Sequence, residues 1–312
     1  MEIFWIAVNA VVPFCIYIAF GLFARTIGLV EEEFTKKLNQ MVFRAFFPIM
    51  MFYNLYSMDL SQKFNSKLMI TGILSLFILI VLLCVTIPVF VKENSKRGVM
   101  IQAIYRSNFV LFAIPLTESV FGSEGVALTS MMIAVVVPIY NVVAVIVLEY
   151  FQGGVPNPGQ LVKNVLSNPM IMGAIVGFLF FGLHIHLPEC VEKPVKAFSD
   201  LSTPLALFVL GSTLHFSSVR KNMKYLVSAL GLKLVIIPSI IMMLAVKLQF
   251  RPVECFVLFA MFATPVAAAS YPMAQNMGGD GELAGELVVA STVVSVVTIF
   301  LWIYFLKSIR VF

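Results

Sequence analysis

Charge is scarce in this sequence. Aspartate, glutamate, lysine and arginine together make up 12% of its 312 residues, whereas soluble domains carry about 25%. Hydrophobic residues make up 60%, and the mean hydropathy is +0.99. A soluble fold of this length cannot bury so much apolar surface, so the composition excludes a soluble protein and indicates an integral membrane protein.

Aspartate is especially rare, and that shortage excludes several classes of function. The three aspartates, Asp59, Asp200 and Asp280, fall at predicted loop edges, whereas a cation/proton antiporter needs carboxylates inside the membrane. The segment MGGDG at residues 277–281 resembles an intramembrane aspartyl protease motif only superficially, because no second intramembrane aspartate can share the acid and base work. No HExxH zinc motif occurs either. The sequence therefore predicts no enzyme and no metal site.

Cysteine is also sparse. The four cysteines lie far apart, which predicts neither a disulfide framework nor a metal cluster, and we expect no cofactor. The net charge is +5, but the basic residues are scattered at the ends of apolar runs, where such residues anchor helices at the membrane interface. We therefore expect no nucleic-acid partner.

Long apolar runs predict an all-α integral membrane protein with ten transmembrane helices. A run of about twenty apolar residues is long enough to cross a bilayer. The N-terminal run lacks a basic n-region and contains Pro13, so we expect it to be retained as the first helix. The largest connection is a short linker from Gln152 to Gln160. The predicted spans are residues 3–24, 38–57, 67–91, 98–121, 126–148, 163–185, 197–216, 224–246, 253–277 and 283–306.

The same pattern of prolines and glycines occurs twice along the chain. The matching residues are separated by 156 or 157 positions, which predicts a first five-helix repeat at residues 1–155 and a second at 156–312. Five is an odd number, so the second repeat enters the membrane from the opposite side, as in the inverted repeats of alternating-access carriers. The matching pairs are Pro13 and Pro169, Gly21 and Gly177, Pro48 and Pro204, Phe52 and Phe208, Pro115 and Pro272, and Gly122 and Gly279.

Prolines fall inside the predicted fourth and ninth spans. Pro115 lies in the fourth span, and Pro265 and Pro272 lie in the ninth. Each removes a helical hydrogen bond, and backbone groups freed at membrane depth are tolerated only where protein or a water-filled cavity meets them. A simple kink packed against other helices is the alternative. Because the prolines occupy matching positions of the two repeats, we predict two broken helices that cross and line a binding site.

Polar residues in these two spans are candidates for a substrate site, because polar groups are costly in hydrocarbon. Arg106 can hold an anion through a bidentate fork, or its side chain can snorkel to the interface. Asn108 is too short to snorkel and can bind a carboxylate or form an interhelical hydrogen bond. Lys233 and Arg44 are further intramembrane cations, which can bind substrate, pair with Glu118 or Glu149, or snorkel. The candidates are Arg106, Ser107, Asn108, Gln275 and Asn276.

The segment YRSNFVLFAIPLTESVFGSEGVAL, from Tyr105 to Leu128, and the stretch ATPVAAASYPMAQ of the ninth span resemble the auxin efflux carrier family. This family includes the plant PIN-FORMED carriers and malonate-transporter-like permeases. The resemblance implies that the fourth and ninth helices break at Pro115 and Pro265, cross near the midplane, and place Asn108 against the substrate carboxylate. It also implies a scaffold of helices 1, 2, 6 and 7 beside a transport unit of helices 3–5 and 8–10.

The predicted fifth helix adds to the resemblance. Its segment IYNVVAVIVLEY contains Tyr140 and Glu149, which resemble a Tyr and the terminal Phe-Glu-Tyr of the plant carriers, with Leu148 in place of the Phe. Tyr140 and its neighbour Asn141 therefore join the candidate substrate-binding residues. The plant carriers have a long loop after this helix, which this chain lacks, and Arg106 is not part of their motif. We therefore expect a small mono- or dicarboxylate as substrate rather than auxin.

These features predict a secondary transporter that moves a small organic anion across the cell membrane by elevator-type alternating access. The alternative is a sodium-coupled organic anion symporter of the bile-acid-carrier type, because Glu118, Gln275 and Asn276 can supply oxygens to a hard cation. The resemblance and the general preference for two-fold assemblies predict a homodimer. Both termini are expected on the extracytoplasmic side, because the inside loops then carry slightly more lysine and arginine.

Overall fold

The computed structural model describes residues 2–58, 65–152, 158–214 and 219–311, which are almost entirely helical. Asp59 and residues 153–157 of the predicted linker lie outside the described residues. The helices are α1 (Glu2–Thr26), α2 (Glu32–Met41), α3 (Phe47–Tyr56), α4 (Ser66–Phe90), α5 (Asn94–Tyr105), α6 (Phe109–Gln152), α7 (Pro158–Leu166), α8 (Pro169–Gly182), α9 (Glu189–Thr213), α10 (Val219–Gly231), α11 (Ile237–Lys247), α12 (Pro252–Ala263), α13 (Ser270–Asn276) and α14 (Gly281–Ser308). Turns of π-helix, Val42–Phe46 and Leu232–Ile236, join α2 to α3 and α10 to α11.

Four helical segments are long and apolar enough to cross a membrane, namely α4, α6, the continuous α10–α11 segment and α14. The pair α7 and α8, bent by 67°, makes a fifth if it forms one span. The all-α class is therefore confirmed, and so are long apolar helices at the third, eighth and tenth predicted spans. The full set of ten spans stays a prediction. Several of the others coincide with helices that break, as in the fourth and ninth, or that begin with charged residues, as in α2 and α9.

Short polar residues fix the starts of three apolar helices. The side chains of Asn65, Asn168 and Asp280 accept hydrogen bonds from backbone N–H groups in the first turns of α4, α8 and α14, at 3.1, 3.0 and 2.9 Å. The first N–H groups of a helix have no helical acceptor, and lipid tails cannot supply one. A polar residue just before each apolar run therefore determines where the helix begins.

Two helix pairs pack backbone against backbone at glycines. A Cβ atom on Gly21 of α1 would lie 2.0 Å from the carbonyl oxygen of Phe208 in α9, and one on Gly177 of α8 would lie 2.4 Å from that of Phe52 in α3. Gly211 of α9 approaches α1 just as closely. Small residues allow membrane helices to approach and gain van der Waals contact. We call the α1–α9 and α3–α8 contacts the glycine seams.

The fourth and ninth predicted spans do break, but at residues 106–108 and 264–269. Pro265 lies in the second break, whereas Pro115 and Pro272 lie inside helices, so the prediction that these two prolines mark breaks is wrong. Pro115 is the seventh residue of α6, and the helix continues through it although proline lacks the N–H of one helical hydrogen bond. Pro272 lies in the first turn of α13, where an N–H would lack a helical acceptor in any case.

Helix α6 joins the end of the predicted fourth span to the fifth. At Gly122 the backbone has φ 58° and ψ −144°, which is not helical. Glycine adopts positive φ without the steric cost that a Cβ atom imposes. The chain can therefore change direction here without a loop.

The glycine seams predict that Gly211→Ala destabilises the protein. The added methyl would lie 2.0 Å from the carbonyl oxygen of Ile18, and overpacking of this kind typically costs about 1–3 kcal/mol. Gly231→Ala is the matched control, because a Cβ atom there meets nothing within 4 Å. Thermal unfolding in one detergent should give a lower midpoint for Gly211→Ala alone. Equal midpoints for the two variants would contradict the seam.

Candidate functional site

Two extended segments cross at the breaks and pair with each other. The N–H of Asn108 donates to the carbonyl of Pro265 at 2.7 Å, and the N–H of Ala267 donates to the carbonyl of Arg106 at 3.3 Å. Ser107 and Val266 form an isolated antiparallel bridge between these bonds. Backbone groups at membrane depth need partners within the protein. The mutual pairing is what allows both helices to break at the same point.

Arg106, the first residue after α5, is only 2% exposed. Its guanidinium donates to the amide oxygen of Asn141 on α6 and lies 2.9 Å from the sulfur of Met273 on α13. No carboxylate of the described residues forms an ion pair with it. The burial excludes snorkelling, and a thioether is only a weak acceptor. The guanidinium therefore keeps donor capacity for an anion.

Two buried hydrogen bonds involve side chains at the crossing. Lys233 Nζ donates to the hydroxyl of Ser107 at 2.5 Å. Tyr140 donates to the carbonyl of Met261 at 3.1 Å. The crossing thus brings together five of the predicted site residues, which are Arg106, Ser107, Asn108, Tyr140 and Asn141.

A cavity of about 510 Å³ lies beside the crossing, and all five of these residues line it. Small-molecule sites commonly have volumes of about 300–1,000 Å³. Apolar side chains of α1, α6 and α9, including Phe14, Phe109 and Leu207, make up much of the remaining wall. The first turn of α6 also lines the cavity through Val110 and Leu111. The positive end of the α6 dipole, which favours anions, therefore lies at the cavity.

The wall opposite the crossing contains polar residues of α3 and α9 that sequence reasoning missed. Asp200 was expected at a loop edge but lies inside α9, where Lys196 donates to it at 2.7 Å. Both side chains are largely exposed, and such pairs contribute only about 0–1 kcal/mol. Pro204, one of the repeated prolines, lines the same wall. This repeated proline was the sequence signal that could have pointed to the polar residues near it. The missed residues are Asn54, Ser199, Asp200 and Thr203.

Gln275 and Asn276 do not join the crossing. Gln275 accepts a hydrogen bond from Asn39 of α2 at 3.2 Å and lines a second cavity of about 330 Å³. Asn276 donates to the carbonyl of Pro272 in its own helix at 2.8 Å. Gln275 and Asn276 lie at least six residues after the end of the break, near the far end of α13, and are therefore distant from the crossing. Glu118 is exposed on α6, and the three oxygens considered for a sodium ion are therefore not brought together.

The hydrogen bond from Tyr140 to the carbonyl of Met261 predicts that Tyr140→Phe lowers the stability of the protein. The change leaves the buried carbonyl of Met261 without its donor, and a buried group left unpaired costs about 1–3 kcal/mol. Tyr304→Phe is the matched control, because Tyr304 is exposed on α14. Thermal unfolding should show a lower midpoint for Tyr140→Phe only. A wild-type midpoint in that variant would show that the hydroxyl makes no net contribution.

Comparison with known proteins shows the family of this chain. Residues 6–157 and 158–303 match the model of a family described as membrane transport protein. An uncharacterized transporter of Methanothermobacter thermautotrophicus is 24% identical over 313 residues, which cover 96% of this chain and 98% of the relative. An uncharacterized transporter of Methanocaldococcus jannaschii is 22% identical over 312 residues, with 95% and 98% covered. The chain is therefore a multi-pass membrane protein and belongs to the membrane transport protein family, the auxin efflux carrier family that its crossing segments resemble.

Proposed function

We propose that this protein is a secondary transporter that carries a small organic anion, a carboxylate, across the cell membrane by elevator-type alternating access. The observation that supports this most directly is the buried guanidinium of Arg106 in the cavity wall. Arginine stays protonated in proteins, and a buried charge without a counter-ion is costly. A substrate carboxylate would supply the missing negative charge.

Three groups would hold the carboxylate. Arg106 offers a charged fork, Asn108 offers an amide N–H, and the first turn of α6 offers backbone N–H groups at the positive end of its dipole. In this proposal the positive helix end begins at Phe109, directly after the break, rather than after Pro115. The apolar remainder of the cavity accommodates the carbon skeleton of the anion. A small mono- or dicarboxylate fits these features.

The proposed architecture is a pair of inverted five-helix repeats, residues 1–155 and 156–312, that together span the membrane ten times. The glycine seams support it. Gly21 matches Gly177 and Phe52 matches Phe208 between the repeats, and the seams join Gly21 to Phe208 and Gly177 to Phe52. A two-fold axis in the membrane plane would produce this exchange of partners.

The proposed mechanism divides the chain into two units. The seam helices α1, α3, α8 and α9, together with α2 and α7, would form the scaffold. Helices α4–α6 and α10–α14 would form the transport unit. The cavity lies between them, with the crossing on one wall and residues of α1, α3 and α9 on the other. We further propose a homodimer through the scaffold, and both termini on the extracytoplasmic side.

The proposed function predicts that carboxylates stabilise the purified protein, because a ligand of the native state raises its apparent stability. A suitable panel is acetate, malonate, succinate, benzoate and phenylacetate, each compared with its uncharged amide. At least one carboxylate should raise the unfolding midpoint, and its amide should not. A midpoint that no carboxylate raises, or that acid and amide raise equally, would argue against an anion carrier.

The anion site predicts that Arg106→Gln and Asn108→Ala weaken carboxylate binding. A hydrogen bond to a charged group contributes about 1.5–3 kcal/mol, so each change should cost about ten- to a hundred-fold in affinity. Arg44→Gln is the matched control, because Arg44 is exposed on the π-helical turn between α2 and α3. Isothermal titration of the stabilising carboxylate would measure the affinities. Wild-type affinity in well-folded Arg106→Gln would remove Arg106 from the site.

A further inference from the structure

Lys233 is a buried cation at the centre of an apolar span. The α10–α11 segment runs from Val219 to Lys247, so Lys233 lies fourteen residues from either end, or about 21 Å along the axis. Its side chain is 1% exposed, which excludes snorkelling. It lies in the π-helical turn Leu232–Ile236, and π-helical turns within α-helices occur frequently at functional sites.

The side chain of Lys233 contacts the cavity through one intervening residue, Ser107. Its Nζ lies 2.5 Å from the hydroxyl of Ser107, which lines the cavity wall. A hydroxyl group can donate or accept, so Ser107 can accept a hydrogen bond from an ammonium or donate one to a neutral amine. The contact between Lys233 and Ser107 therefore suits both protonation states of the lysine.

No carboxylate of the described residues pairs with Lys233. The predicted partners are elsewhere, since Glu118 is exposed and Glu149 accepts from Asn164. The π-helical turn packs against α5, α10, α11, α12 and α14. Of these elements, only α12 and α14 contain acidic residues.

Each of those acidic residues has another hydrogen-bond partner or lines another cavity. Glu254 of α12 accepts hydrogen bonds from Arg251 and Asn65. Glu286 of α14 accepts from Asn222, which precedes Lys233 by eleven residues, or about 16 Å along the helix. Glu282 lines the second cavity.

The charged residue that directly precedes the Ser107 contact has the same sign as a protonated Lys233. Arg106 directly precedes Ser107, and the titratable Tyr105 and Tyr140 lie beside it. The other titratable residues of the packed helices lie within two turns of the helix ends. Arginine cannot lose its proton, whereas a buried lysine can. With an empty cavity, a buried ammonium without a counter-ion would be costly in a low-dielectric setting, and that cost is avoided if Lys233 is neutral.

We propose that Lys233 is the proton-binding residue of this transporter, neutral when the cavity is empty and protonated when a carboxylate occupies it. This inference rests on the proposed function. The carboxylate would neutralise the charge of Arg106, and one proton from water would then bind to Nζ. One negative and one positive charge enter together, so the anion and the proton would cross the membrane as an electrically neutral pair.

The protonation state can be observed directly by NMR of protein labelled with ¹⁵N-lysine at neutral pH. We expect one neutral amine signal in the wild type and in Lys247→Met, the exposed control on the same helical segment, and none in Lys233→Met. Addition of the stabilising carboxylate from the panel should convert that signal to an ammonium signal, and the amide should not. If Lys233→Met does not fold, Ser107→Ala should identify the signal by shifting it.

Three other outcomes of the NMR and stabilisation measurements would each contradict a specific part of the proposal. An ammonium signal for Lys233 in the absence of any carboxylate would overturn the inference. A carboxylate that stabilises the protein while Lys233 stays neutral would overturn the proton coupling and leave the proposed function standing. A panel that neither stabilises the protein nor changes the signal would overturn both.

Proton coupling also predicts that affinity depends on pH. Uptake of one proton on binding strengthens the affinity by up to about tenfold for each unit by which the pH falls. Titrations at and above neutral pH, where the panel carboxylates stay ionised, should show this trend in the wild type and in Lys247→Met. Lys233→Arg, which carries a permanent charge, should lose it. An unchanged pH dependence in Lys233→Arg would exclude Lys233 as the proton-binding residue.

Discussion

The backbone pairing at the crossing is the interaction on which the rest of the site depends. Two helices end at nearly the same point inside the protein, and each leaves backbone groups that lipid cannot satisfy. The hydrogen bonds from Asn108 to Pro265 and from Ala267 to Arg106 supply partners for backbone groups at both breaks. They also fix the direction in which α6 leaves the crossing. The cavity, the buried guanidinium and the positive helix end occupy one place because these two segments pair there.

The charges around the crossing are unevenly distributed. Arg106 and Lys233 are buried, and the acidic residues of the described helices either pair with other groups or lie elsewhere. A structural ion pair would satisfy both cations permanently and leave nothing for a ligand to supply. In the proposed function, this deficit of negative charge would give the site its selectivity for anions. The two basic side chains also differ in chemistry, since arginine keeps its proton and a buried lysine can release it.

Sequence reasoning identified what depends on composition and spacing. Long apolar runs such as those of α4 and α14 strongly favour a helix, so these two helices were predicted to within about two residues at each end. The repeated Gly21 and Gly177 were recognised as a pattern, although their role in the seams needs the distances. Arg106 and Asn108 were predicted as site residues because polar residues are rare in such segments, and both line the cavity at the crossing.

The sites that were misjudged depend on tertiary contacts. Proline was expected to break helices, but α6 continues through Pro115, and the break instead lies where another segment supplies hydrogen-bond partners. Gln275, like Asn108, was chosen as a site residue because it is polar and lies in an apolar span. It lies in α13, however, and its side chain is hydrogen-bonded to Asn39 instead. The contact of Lys233 with Ser107 joins residues 126 positions apart, and no local pattern indicates it.

The glycine seams have a mechanical consequence. Carbonyl oxygens lie where a side chain would begin, so α1 and α9, like α3 and α8, cannot slide along each other without collision. The boundary with α13 is different in kind. It is joined through side chains, as between Thr213 of α9 and Tyr271 or between Asn39 of α2 and Gln275, and water can replace such hydrogen bonds one at a time. The glycine seams therefore resist sliding, whereas the boundary with α13 is held by hydrogen bonds that can be exchanged, as the proposed mechanism would require.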